Sequence, residues 1–219
     1  MPVQHHPFAA CLALAAGLLH AAGAVSAQDR PPLPDTAPPG IDAGPGAGPA
    51  LPADTPEAPS PEARLDRLYA ELAQPGRKDW ERIQAEILTI WSRSGSPAMD
   101  LLLRRGQEAL ESGDTALAIE RLDALTDQAP DFAEGWNARA TAWYMKGEFA
   151  LSLADIERTL MLNPQHFGAL AGLATIYDDL GDPVRALAAM KAVRALNPNH
   201  PGLADAIRRL EAERGLGEI

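Results

Sequence analysis

The chain has 219 residues, with 30 acidic against 19 basic side chains and a formal net charge of −11 at pH 7. That balance excludes a general nucleic-acid binder, which needs a basic face to displace phosphate counterions, and it opposes adsorption to an anionic membrane surface. The length allows one modest domain plus extensions, and the excess of Arg over Lys, 16 to 3, reads as GC-rich coding bias rather than chemistry.

Residues 1–27 contain no Asp, Glu, Lys or Arg, and from Phe8 to Leu19 they read "FAACLALAAGLL". Small residues follow, with Val25 and Ala27 flanking Ser26. This is the layout of a secretory signal peptide cleaved after Ala27, and its apolar core is short for a permanent membrane span. The leading "MPVQHHP" has no Lys or Arg, so the alternative is a leader retained as an anchor. The single cysteine, Cys11, precedes most of the apolar run, whereas a lipoprotein processing box needs it afterwards. With the leader removed, the mature chain has no disulfide, thiol nucleophile or thiolate ligand.

Residues 28–60 are dominated by Pro, Gly, Ala and Asp, without an aromatic residue. Such a segment buries too little apolar area to offset its ordering entropy, so a disordered linker is expected, with a Pro-rich ligand for another protein as the alternative.

Residues 61–96 read as a helical hairpin. Leu65, Leu68, Tyr69 and Leu72 fall at helical spacing, as do Trp80, Ile83, Ile87, Ile90 and Trp91, with "QPGRK" as the turn between them. Asp79 is the expected N-cap of the second helix.

From there the chain has a period of 34. Gly113, Gly147 and Gly181 are spaced at 34, and so are Pro130, Pro164 and Pro198. The segments "GDTALAIERLDALTDQAP", "GEFALSLADIERTLMLNP" and "GDPVRALAAMKAVRALNP" align without a gap. Gly permits the left-handed turn that ends a helix, Asp114 and Asp182 can cap the next one, and Pro stops it. Small residues recur at 34 where helices must approach closely: Gly106, Ala140 and Ala174 on the first helix, and Ala118, Ser152 and Ala186 on the second. Trp143 and Tyr177 fill the space between helices, with Ala109 in their place in the first unit.

These positions resemble the tetratricopeptide repeat family over three units, about 99–132, 133–166 and 167–200 within 97–200. The departures are Leu102 and Leu170 where only Trp136 keeps the early aromatic, and Arg105 and Arg139 where Leu is commoner. The hairpin at 61–96 reads either as a separate element or as a degenerate fourth unit, since Pro97 lies 33 residues before Pro130. Residues 201–219 supply an amphipathic capping helix through Leu203, Ile207 and Leu210.

The resemblance implies an all-α, right-handed superhelical α-solenoid of stacked helix-turn-helix hairpins. It also implies a concave face that binds a peptide or partner-protein segment. Carried over by position, that face holds Leu103, Gln107 and Leu110; Asn137, Thr141, Tyr144 and Met145; and Ala171, Thr175 and Asp178, with Asp179 at its edge. The cationic clamp for acidic C-terminal tails used by some relatives is not matched: its places hold Leu103, Gln107, Ala138, Gly168 and Gly172.

No catalytic constellation emerges. His166 and His200 sit just after two Pro turns, without a Cys partner or a His-Glu-x-x-His spacing, and are expected to be exposed. No nucleophile elbow or phosphate-cradling Gly loop occurs, and Glu120, Asp123, Asp178 and Asp179 read as solvated charges. No cofactor or metal is expected. The expectation is a monomeric, non-catalytic adaptor or scaffold of the bacterial envelope, exported to the periplasm. The alternatives are an assembly or chaperone-like factor for envelope proteins and, from another class, an accessory or degenerate cell-wall enzyme domain.

Overall fold

The computed structural model describes residues 60–217. The expected leader, and all of the expected linker but Ser60, lie outside them. Nine helices and no strand occur among the described residues: α1 (Pro61–Leu72), α2 (Trp80–Trp91), α3 (Pro97–Glu111), α4 (Thr115–Gln128), α5 (Ala133–Met145), α6 (Phe149–Leu162), α7 (Phe167–Asp179), α8 (Pro183–Leu196) and α9 (Leu203–Gly217). None is long and apolar enough to cross a membrane.

The repeat punctuation forms as its chemistry dictates. Gly113, Gly147 and Gly181 have φ of 78°, 81° and 72°. Each closes its helix by the same pair of bonds. Gly113, Gly147 and Gly181 donate to the carbonyls of Leu110, Tyr144 and Asp178, and the following residue reaches back to Ala109, Trp143 or Tyr177. This double closure satisfies carbonyls that a helix end leaves open, and Gly takes the left-handed turn without a Cβ penalty. Asp114 and Asp182 cap α4 and α8 through Leu117 N–H and Arg185 N–H. Asp79 holds the N-cap position of α2 but makes no cap bond. Its carboxylate accepts from Arg77 and Arg82 instead, and those two guanidinium groups hold its pKa far below the usual carboxylate range.

Helix pairs α3/α4, α5/α6 and α7/α8 stack in chain order, and α9 packs on α8. The small-residue positions lie at the helix crossings. A Cβ on Gly106 would stand 2.6 Å from Leu122 Cδ2, so a larger residue there would force Leu122 to move. Ala140 and Ala174 fit at the same register, where the facing residue is Ile156 or Met190. Ser152 is 1 % exposed and donates its hydroxyl to the Ala140 carbonyl at 2.7 Å, which removes the cost of burying it. Arg139 replaces an apolar residue by an ion network. It forms two bonds of 2.8 Å to Asp155, and its remaining nitrogen reaches Asp123 and Thr126, tying unit one to unit two.

The hairpin α1–α2 does not extend this stack. Its apolar face, with Leu68, Leu72, Ile83, Ile87 and Trp91, packs with Phe167 and Leu196 of the third unit. It folds back across the inner side of the array.

Candidate functional site: the groove and the hairpin beside it

Two of the three Pro turns share a phrase, "LNPQH" and "LNPNH". In both, the Asn side chain accepts a hydrogen bond from the second residue on, Asn163 from Gln165 N–H and Asn197 from Asn199 N–H. This local turn shapes the backbone after the helix stops. Asn199 then grips the hairpin with four hydrogen bonds. Its amide nitrogen donates to the carbonyls of Leu72 and Gln74, and its oxygen accepts from Gly76 and Arg77 N–H. Asn197 donates to Gln84 of α2 at 3.1 Å.

The histidines complete the contact. His166, expected to be exposed, is 1 % exposed. Its Nδ1 accepts from Ala169 N–H at 3.0 Å and so caps α7, and its Nε2 faces Glu134 Oε2 at 3.0 Å. Acceptance at Nδ1 places the proton on Nε2, which donates to the carboxylate. The ring lies 4.3 Å from Trp91 at 18° between planes, and Trp91 also meets Phe167 at 4.7 Å. Its indole N–H donates to Tyr69. Trp80 meets His200 at 5.2 Å. So two tryptophans eleven residues apart, three helical turns on one face, engage two histidines 34 apart. The docking residues Trp80, Gln84, Trp91, Asn197 and Asn199 were not among the expected site residues. The Asn and His shared by the second and third turns, and missing from "QAPDF", were the available signal.

Behind the hairpin the inner face opens into two cavities. The larger holds about 820 Å³ of empty space, its open mouth included. Asn137, Thr141 and Ala171 line it from the repeat, and Gln84 and Leu88 from α2, with His166, Met190, Val193 and Leu203 completing the wall. The smaller, about 250 Å³, shares Asn137, Thr141 and Gly168 and continues to Tyr144 and Gly172.

Of the expected groove residues, these cavities bring together Asn137, Thr141, Tyr144 and Ala171. Leu103 is 2 % exposed and turned into the core of the first unit, because Leu122 and Ala138 close over it. Gln107 and Leu110 are half-buried on that unit, Leu110 against the same core. Met145 stands exposed beyond the groove. Thr175 is buried with its hydroxyl donating to the Ala171 carbonyl. The acidic residues are not simply solvated: Asp178 pairs with Arg209 of α9, Asp123 with Arg139, and Glu120 with Arg121. Asp179 accepts from the Tyr144 hydroxyl at 2.8 Å. Burial and that carboxylate raise the Tyr144 pKa, so its phenol stays protonated.

A stack of Gly- and Pro-punctuated helical hairpins around an inner groove defines a helical-repeat protein. The family model for the tetratricopeptide repeat matches residues 103–160 and 146–201. Through these repeats the chain belongs to the tetratricopeptide repeat family. It is 38 % identical over 124 residues to a TPR repeat-containing protein of Rhizobium etli, covering 56 % of this chain and 61 % of that one. It is 31 % identical over 98 residues to tetratricopeptide repeat protein 36 of Homo sapiens, covering 45 % and 50 %. The chain thus spans about half to three-fifths of the length of these relatives. The fold is similar to that of the first TPR of Spaghetti (RPAP3) bound to HSP90 peptide SRMEEVD, with a TM-score of 0.51 and 20 % identity over 53 % of this chain and 93 % of that one. It is also similar to MamA protein, with a TM-score of 0.51 and 19 % identity over 70 % and 84 %.

Proposed function

We propose that this protein is a non-catalytic adaptor that binds a segment of a partner protein along its inner groove. The observation that carries this reading is the pair of adjoining cavities on that face, which share Asn137 and Thr141 in their walls. Side-chain amides and hydroxyls can bond a peptide backbone without demanding one sequence, while the apolar walls select side chains. The HSP90 peptide SRMEEVD bound by the first TPR of Spaghetti (RPAP3) supports this use of the fold. The residues here differ from a cationic clamp, with Leu103, Gln107, Ala138, Gly168 and Gly172 in its places. We therefore expect a partner other than an acidic C-terminal tail.

Affinity capture with the tagged protein, followed by partner titration of Asn137→Ala and Tyr144→Ala, tests the reading. Both variants should weaken binding at least several-fold with the fold intact; unchanged affinity in both removes the groove from consideration.

We further propose that the protein acts in the bacterial envelope, exported and cleaved after Ala27. The apolar run from Phe8 to Leu19 with small residues after it supports this, as does the likeness to a bacterial relative. Sequencing the N-terminus of the protein isolated from its own cells decides the matter: Gln28 is expected, and Met1 overturns export with cleavage.

A further inference from the structure

We infer that helix α2 is part of the recognition surface, and that the pocket it forms with α5 and α7 takes a bulky, uncharged aliphatic side chain of the partner segment. This rests on the groove reading above and names the chemistry of what enters it. The pocket is composite. Gln84 and Leu88 come from the N-terminal hairpin, and Asn137, Ala171 and Met190 come from the repeat. The docking contacts at Trp91–His166 and Asn197–Gln84 set the distance between the two walls.

The selectivity follows from which groups are already satisfied. The Glu134 carboxylate is the acidic group in the wall, and both its oxygens are engaged, one by His166 Nε2 and one by the Asn137 amide at 3.4 Å. The Gln84 amide oxygen accepts from Asn197, and the Thr141 hydroxyl donates to the Asn137 carbonyl. A guest side chain therefore meets mainly hydrocarbon from Leu88, Ala171, Met190, Val193 and Leu203, while the Asn137 amide oxygen and the Thr141 oxygen keep acceptor capacity for a peptide backbone N–H. A charged side chain would lose its hydration there without gaining a charged partner, so the pocket rejects it, whereas an aliphatic one gains by leaving water. Because the smaller cavity continues past Asn137 and Thr141, an extended segment can lay its backbone along those residues while one side chain enters beneath Leu88.

The test uses the full chain and a phage-displayed random dodecapeptide library. Peptides retained by the protein should share one position held by Leu, Ile or Met. Replacing that residue by Ser or Lys in a synthetic peptide should weaken binding at least 10-fold. Leu88→Trp and Ala171→Met fill the pocket from opposite walls and should each reduce binding about 10-fold. A photo-leucine at the anchor position should crosslink to residues 84–88 in the unmodified protein, a readout that needs no variant. Peptides that bind in the groove without an aliphatic anchor, or crosslink to other groove residues, overturn this inference and leave the groove reading standing; crosslinks outside the groove overturn both. Retention of no peptide at all overturns both.

Discussion

The Pro turn between units one and two and the Pro turn between units two and three occupy the same place in the repeat, yet they are secured differently. At the first, Ala129 and Phe132 stand where the second has Asn163 and His166. Phe132 makes no side-chain cap for α5, whereas His166 caps α7 and also carries Trp91 of the hairpin. The first junction relies on the ions of Arg139, Asp155 and Asp123. The second relies on the contacts of Trp91 from the hairpin with His166 and Phe167 and on the hydrogen bond between His166 and Glu134. Repeat periodicity thus preserves the joint, while residues free to vary at the joint decide what else it holds.

The sharpest way to break this contrast is Trp91→Ala. It removes a buried indole and should cost about 3–5 kcal/mol of unfolding free energy. In hydrogen exchange, protection should fall at α1, α2 and the second and third turns while α3 and α4 keep theirs; a uniform loss would show that the hairpin is not a separate attachment. Asp155→Ala attacks the other junction. Arg139 would be left largely buried beside only its weaker partner, at a cost on the order of 3 kcal/mol. Here the loosening should appear in hydrogen exchange between α4 and α5, with the protection of α2 unchanged.

Converting one junction toward the other is gentler. His166→Phe keeps a ring against Trp91 but removes the α7 cap and strands Glu134, for an expected loss of about 1–3 kcal/mol in chemical denaturation. An equal or higher stability would mean that the imidazole nitrogens add nothing beyond the ring. Asn199→Ala should cost about 1 kcal/mol, with faster exchange confined to Gly76 and Arg77, whose donors it satisfies. The smallest effect is at Asp79. Its folded pKa is depressed by Arg77 and Arg82, so its contribution is complete above the unfolded aspartate value of about 3.9 and is lost as pH falls toward the lower folded value. Asp79→Asn should flatten stability against pH only below about 4. High salt should erase much of the difference, since the pair is exposed.

The repeat was legible because its causes are local. A glycine that must turn left-handed, an aspartate three residues before the amide it caps, and a small residue at each crossing leave marks at fixed spacing. Asn137, Thr141, Tyr144 and Ala171 were expected in the groove from the family resemblance, carried over by position along that repeat. Leu103 does not reach it, because the same register that faces the groove in later units is closed over by Leu122 and Ala138 in the first. The hairpin docking left no periodic mark. It joins Trp80 to His200 and Gln84 to Asn197 across more than a hundred residues, and nothing in either partner alone requires the other. His166 looked like an exposed turn residue for that reason: its burial comes from a helix that lies far away in sequence.

The grip of Asn199 on the Leu72 carbonyl spans 127 residues. An open array of repeats frays from its free end, each unit answering only to its neighbour. Here the third unit is clasped to the hairpin that precedes the array. The last repeat cannot open without releasing the hairpin, and the clasp forms only after most of the chain is in place. The molecule therefore adds to the quick, local assembly of a ladder one slower, long-range closure that ties the fate of the hairpin to that of the third unit.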